Sequence, residues 1–232
     1  SKLEKKKGNL KKEVKFLKIA HHLCYDSNKS YNNQSNFYYK NIISNNFGRI
    51  NFKDDFTKLK YFNDSNHIFI VGLPRSGSTL IETIISHNTK KIFTVGEFHA
   101  INTSILEQIG NIIYSKDFDL KNYKLSLNKK VFQDSIFNKY DNFEKKIYLD
   151  KSLENFFNIE LILTFFPNAK FIHTYRNIND TIIGIYQTML NELSWTHKIE
   201  DIKNYVSSYN YVINYFKEKY PNKIIDVELS NF

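Results

Sequence analysis

Cysteine occurs once in this chain, at Cys24, so neither a disulfide framework nor a multi-cysteine zinc module can be built from it. Only 3 prolines and 7 glycines are present, which removes collagen-like, mucin-like and other fibrous classes. No apolar run approaches the roughly 18 residues that a membrane-spanning helix needs, so no membrane span is expected. An apolar signal segment is also missing, and Ser1 stands where an initiator Met would. The chain therefore reads as a segment of something longer or as a processed start, and a cytoplasmic location is expected. Alanine and glycine are scarce while Asn, Lys, Ile, Phe and Tyr are abundant, a bias we attribute to base composition rather than to function.

What is present suffices for one large α/β domain with a short annex. The 232 residues are 41% hydrophobic and 16% aromatic, which excludes wholesale disorder. An excess of 33 Lys+Arg over 24 Asp+Glu gives a net charge of +9 and favours an anionic partner. Much of that excess is local, since Lys2, Lys5, Lys6, Lys7, Lys11, Lys12 and Lys15 crowd the N-terminus as a solvated helix face. They are not interleaved with an aromatic platform, so nucleic acid is not the expected partner.

Apolar residues recur at helical spacing from Leu10 to Cys24, and a polar break at Asp26–Ser30 precedes a second helical stretch from Tyr31 to Phe47. Residues 1–47 are thus expected to form a helical hairpin, and 48–66 a linker. From His67 short apolar runs alternate with helical patterns. Strands are expected at 67–72, 92–95, 147–149, 170–174 and 223–227, and helices at 80–87, 153–166, 178–193 and 199–216. Residues 67–232 therefore read as an α/β, P-loop-type three-layer domain with a central parallel sheet.

The segment Gly72-Leu-Pro-Arg-Ser-Gly77-Ser-Thr79 has the G-x-x-x-x-G frame of a phosphate loop in strand-to-helix context. Its glycines let successive N–H groups and a helix N-terminus face one anion. An ATPase loop would place Lys at position 78, but Ser78 is there and the cation sits inside the loop, at Arg75. Apart from Asp150 no aspartate follows an apolar strand to hold magnesium, so a less highly charged group than a triphosphate is expected. Glu97 follows the second expected strand and so falls at the carboxyl edge of the sheet, where ligands bind. Taken alone it reads more readily as a helix N-terminal Glu complementing the dipole. No carboxylate–histidine cluster has metal spacing, so His87 and His173 read as packing residues and no metal is expected. Trp195 reads as packing or as one wall of an acceptor groove, and Cys24 as buried within the helix pair.

Four ordered blocks carry a resemblance: "IFIVGLPRSGSTLIETIISH", "VGEFH", "YLDKSLENF" and "FFPNAKFIHTYRNINDTIIGIYQ". Together they resemble the sulfotransferase superfamily over about residues 67–190, closest to the tyrosylprotein sulfotransferase-like branch and to bacterial proteins that join tetratricopeptide repeats to such a domain. The helical hairpin is similar to a terminal tetratricopeptide-type unit, which would offer a protein partner a surface. The resemblance implies sulfuryl transfer from 3′-phosphoadenosine 5′-phosphosulfate to a hydroxyl-bearing acceptor: a peptide (protein tyrosine among them), a sugar or a small molecule. It assigns Arg75, Ser76, Gly77, Ser78 and Thr79 to the 5′-phosphosulfate, Glu97 to the catalytic base, Lys151 to the sulfuryl group in flight, and Arg176 to the 3′-phosphate. His99 is a rival base, expected to point away from Glu97 if both lie on a helix.

Two departures from the family pattern stand out. Leu153-Glu154 replaces a proline in the lysine block, and Gly184 stands where a serine would assist Arg176. "KIIDVELSNF" is similar to the start of a block after which family members continue for many tens of residues, so part of the donor and acceptor contacts is expected outside this chain. The competing readings are a nucleotide or nucleoside kinase on the same fold, and a helical-repeat binding module with an inactive domain.

Overall fold

Strand β1 (His67–Gly72) turns Phe69 and Val71 to one face of the sheet and Ile68 and Ile70 to the other, and all of them find apolar partners. This is the signature of a strand covered on both sides, and β1 is central. The computed structural model describes residues 2–37, 39, 66–99, 101–103 and 147–231. Within it β2 (Ile92–Gly96), β3 (Ile147–Asp150), β4 (Lys170–Tyr175) and β5 (Ile224–Glu228) join β1 in a sheet of order β2-β3-β1-β4-β5, with every pairing parallel.

The N-terminal region holds α1 (Lys2–Lys6), α2 (Leu10–Ser27) and α3 (Lys29–Phe37). Helix α4 (Ser78–Asn88) follows β1 and covers one face of the sheet. Its Ile81, Ile84 and Ile85 pack on Ile70, Leu149 and Ile172. The larger core lies on the other face, under α5 (Ile159–Phe165), α6 (Ile178–Thr188) and α7 (Ile199–Lys219). There α7 buries Ile202, Tyr205, Val206, Tyr209, Val212, Ile213 and Phe216 on one stripe, as the helical repeat requires. Each such side chain contributes about 1.5–3 kcal/mol on burial, which fixes α7 as the main brace of the sheet. The expected α/β three-layer architecture is thus observed.

Two helices are shorter than the sequence periodicity suggests. Residues 153–158 form a 3-10 turn before α5 begins, opened by the Asn155 N–H to Ser152 carbonyl bond of 2.9 Å. Helix α6 stops at Thr188 because Met189 adopts the left-handed conformation, and residues 189–193 leave the helix to line a cleft. Asn28 alone separates α2 from α3, so the break is tighter than a five-residue turn. The remainder of the second expected helix beyond Tyr39, and the linker up to Ser65, lie outside the described residues. No helix among the described residues is long and apolar enough to cross a membrane.

Candidate active site

The end of β1 cannot carry a side chain. A Cβ on Gly72 would lie 2.5 Å from the Thr174 carbonyl oxygen on β4. The loop that follows is anchored inward by Leu73, which is buried, and turned by Arg75, whose φ of 69° is unusual for a residue with a side chain. Arg75 is thereby exposed while its neighbour Ser76 is buried. The Ser76 hydroxyl shares a 2.8 Å hydrogen bond with the Thr174 hydroxyl, and its N–H donates to the Leu73 carbonyl at 3.2 Å. Ser76 therefore helps to hold the loop's shape.

Gly77 caps α4 with φ 92° and supplies no capping side chain, so the first-turn N–H groups of α4 lack a side-chain acceptor. An anion at this terminus would be met by those donors and by the positive end of the helix dipole. Leu229 closes over Gly77 from beyond β5, with 2.5 Å from its Cδ1 to a hypothetical Cβ.

Arg176 follows β4 directly and precedes Asn177, which caps α6 by accepting from the N–H groups of Asn179 and Asp180. Its Nη2 donates to the Asp180 carbonyl at 2.6 Å, while Nε is buried without a partner. A buried guanidinium nitrogen without a partner is uncommon in folded proteins. At the expected serine position the side chains of both arginines pass close to the backbone. Gly184 on α6 leaves room for both arginines, since a Cβ there would sit 2.9 Å from Arg176 Nη2 and 3.4 Å from Arg75 Cβ. Gly184 is therefore a surface against which the Arg75 stem and the end of the Arg176 side chain both lie.

Across the sheet edge, Lys151 Nζ donates to Glu97 Oε1 at 2.7 Å and lies 3.8 Å from Glu82 Oε2. Lys151 is buried and held by its own N–H, which donates to the Gly96 carbonyl at 2.9 Å. Glu82 projects from α4 and accepts from the Thr94 hydroxyl. Nothing in the sequence pattern marked Glu82, which falls on a helix after the loop motif has ended. Residues 97–99 are irregular rather than helical, and His99 has φ 51°. Consequently His99 Nε2 lies 3.8 Å from Glu97 Oε2 and both line one cleft, contrary to the expectation that a helix would separate them. Asp150 is buried and accepts from the Ser152 N–H at 2.7 Å, and burial raises its carboxyl above the usual range. It is therefore placed for structure and not for an exposed magnesium ion. Among the described residues no group of three or more His, Cys, Asp or Glu side chains is gathered as a metal site.

Two clefts flank this arrangement. One, of about 530 Å³, opens between the loop (Gly72, Pro74), Glu97 and His99, residues 153–154 and residues 189–193, with Trp195 and Tyr205 behind. Trp195 stacks flat on Tyr205 at 3.7 Å, as the packing reading expects, and also borders this cleft. The other cleft, of about 270 Å³, lies between Ser76, Thr174, Arg176 and α7. His173 borders it and is held between Asp226 (2.7 Å) and the Tyr209 hydroxyl. Cys24 sits at the edge of the N-terminal helices against Asn191 and His197, not within the helix pair.

Comparison with known proteins agrees with this geometry. A model described as "Sulfotransferase family" matches residues 67–231, which spans the loop, Glu97, Lys151 and Arg176. An uncharacterized protein of Aquifex aeolicus (strain VF5) is 25% identical over 174 residues, 69% of this chain. The chain spans 22% of the length of that relative. Because that match covers most of the chain, from β1 through β5, the chain belongs to the sulfotransferase family.

Proposed function

We propose that this domain transfers a sulfuryl group from 3′-phosphoadenosine 5′-phosphosulfate to an acceptor hydroxyl. The observation that carries the reading is that the Arg75 stem and the Arg176 guanidinium both lie against Gly184, beside a helix N-terminus without a side-chain cap. A donor with phosphate at both ends of its ribose needs two anion sites a few ångströms apart, and a simple nucleotide needs one.

In this reading the loop N–H groups, Ser78, Thr79 and Arg75 hold the 5′-phosphosulfate, and Arg176 holds the 3′-phosphate through the nitrogen that now lacks a partner. The acceptor oxygen attacks sulfur in line, Glu97 takes its proton, and the sulfur–oxygen bond to the phosphate breaks. Arg75 and Lys151 stabilise the charge that develops on the departing phosphate. Glu82 keeps Lys151 in place when Glu97 turns to the acceptor. Electrostatic stabilisation of this kind accounts for about 3–4 kcal/mol per donor lost. A kinase reading is less well supported, because no lysine follows Gly77 and Asp150 is buried in a structural bond.

We further propose that the N-terminal helices α1 to α3 meet a protein partner in the manner of the tetratricopeptide-linked branch. Protein tyrosine is one acceptor consistent with this reading. The test of the activity is transfer of radiolabelled sulfate from the donor to a phenol. The reading predicts turnover in the parent and none in Arg75→Ala. Turnover in that variant at the parental rate contradicts it.

A further inference from the structure

Helix α4 carries a carboxylate one turn behind the terminus that would receive the donor's anion. Ser78 opens α4 and Glu82 follows it four residues on, so the two share a face of the helix. A carboxylate there repels an anionic ligand, and its presence needs a reason. Its contacts supply one. The Glu82 side chain is only 14% exposed; Oε1 accepts from the Thr94 hydroxyl of β2, and Oε2 lies 3.8 Å from Lys151 Nζ.

The backbone ties these three residues together. The register between β2 and β3 shifts between Thr94 and Gly96, where Val95 is an extra residue against Leu149 and Asp150. The Gly96 N–H donates to Thr94 Oγ1 at 3.3 Å, and the Gly96 carbonyl accepts from the Lys151 N–H at 2.9 Å. Glu82 and Lys151 are thus both fixed to one bulge at the carboxyl edge of the sheet. Glu97, the partner of Lys151 at 2.7 Å, follows that bulge on an irregular segment, and its side chain is 54% exposed. A lysine held by Glu97 alone would follow that side chain whenever it turns to an acceptor.

We propose, resting on the sulfuryl-transfer reading, that Glu82 is a positioning residue for the donor: anchored by Thr94, it holds Lys151 where the 5′-phosphate of the nucleotide meets it. The effect of Glu82 on the anion is then attraction through Lys151 and not repulsion. The helix that offers its N-terminus to the phosphate also sets the lysine, so these two positive features keep a fixed spacing.

Calorimetry on the full chain with 3′,5′-adenosine bisphosphate tests this, because charge alone and positioning predict opposite signs. Removing a carboxylate near an anion site tightens anion binding where only charge matters. Glu82→Gln keeps an acceptor for Thr94 and loses only the charge, so a merely structural role predicts no change. The proposal predicts binding about five- to tenfold weaker. In a Lys151→Ala background the same substitution should weaken binding no further. Thr94→Val, which frees the Glu82 side chain, should weaken binding about two- to threefold and serves where Glu82→Gln does not fold. Unchanged or tighter binding in Glu82→Gln, or an equal loss without Lys151, overturns the proposal. The expected order in a parent that transfers no sulfuryl group to a phenol keeps the positioning role and rejects the transfer reading. A parent that does not bind the bisphosphate rejects the donor reading and this proposal with it.

Discussion

At Gly184 the missing side chain is the feature with most consequence. An added hydroxyl there looks favourable by analogy with the serine of related proteins, but here its Cβ would push against Arg176 Nη2 at 2.9 Å. Arg176 is the tip of a flexible chain and can yield, though it then leaves the Asp180 carbonyl and the position beside Arg75. We expect Gly184→Ser to fold normally and to bind 3′,5′-adenosine bisphosphate about tenfold more weakly, the value of one charge-assisted contact. Tighter binding in that variant would show that the arginines are not the anion site. Glu97→Gln is expected to keep nucleotide affinity and lose about a hundredfold or more in turnover, because an amide cannot accept the proton. Retained turnover in Glu97→Gln together with loss in His99→Ala would move the base to the histidine, which lies 3.8 Å from Glu97.

Among elements, β4, β5 and α7 are tied by His173, which donates to Asp226 and accepts from Tyr209. Burial is the main reason that the His173 imidazole falls to about 4, with Lys217 adding to it and Asp226 opposing it. The folded state therefore resists a proton that the unfolded state accepts below about 6.5, so stability falls as pH drops from about 6.5 to about 4. At about 1.4 kcal/mol per pH unit the loss approaches about 3 kcal/mol for this residue. His21 and His197 are lowered by burial too and act in the same direction. Urea titrations across that pH window check this, and a His173→Phe variant with the same slope would contradict it. Gly77→Ala, at φ 92° and against Leu229, is expected to cost about 1–3 kcal/mol by the same method.

The elements themselves were largely legible, because β1, β4 and α7 are periodic runs whose burial follows their pattern. The loop was legible from local spacing and Arg176 only through the family resemblance, although each follows a strand at the sheet's carboxyl edge. Glu82, Thr174 and the role of Ser76 were not, because their meaning lies in contacts between segments far apart in sequence: Glu82 with Lys151, and Ser76 with Thr174. The proximity of His99 to Glu97 was missed because a helix was assumed where the chain bends.

For the whole molecule, the N-terminal helices and the candidate acceptor cleft are one mechanical system. His21 meets the Tyr186 carbonyl at 2.8 Å and His197 at 3.1 Å, while Asn36 donates to Asp201 and accepts from Ser194. These contacts brace the segment that carries Leu193 and Trp195, so the helices support the cleft wall. Asn36→Ala leaves Asp201 and Ser194 short of a partner each and is expected to destabilise by about 1–3 kcal/mol, read from a denaturant midpoint. No change in the midpoint would separate the helices from the domain energetically. The account as a whole depends on two anion sites that recognise one nucleotide. Calorimetry comparing 3′,5′-adenosine bisphosphate with adenosine 5′-monophosphate tests it most directly. The bisphosphate is predicted to bind about ten- to a hundredfold more tightly, with the preference lost in Arg176→Ala. Equal binding of the two nucleotides by the parent protein would contradict it.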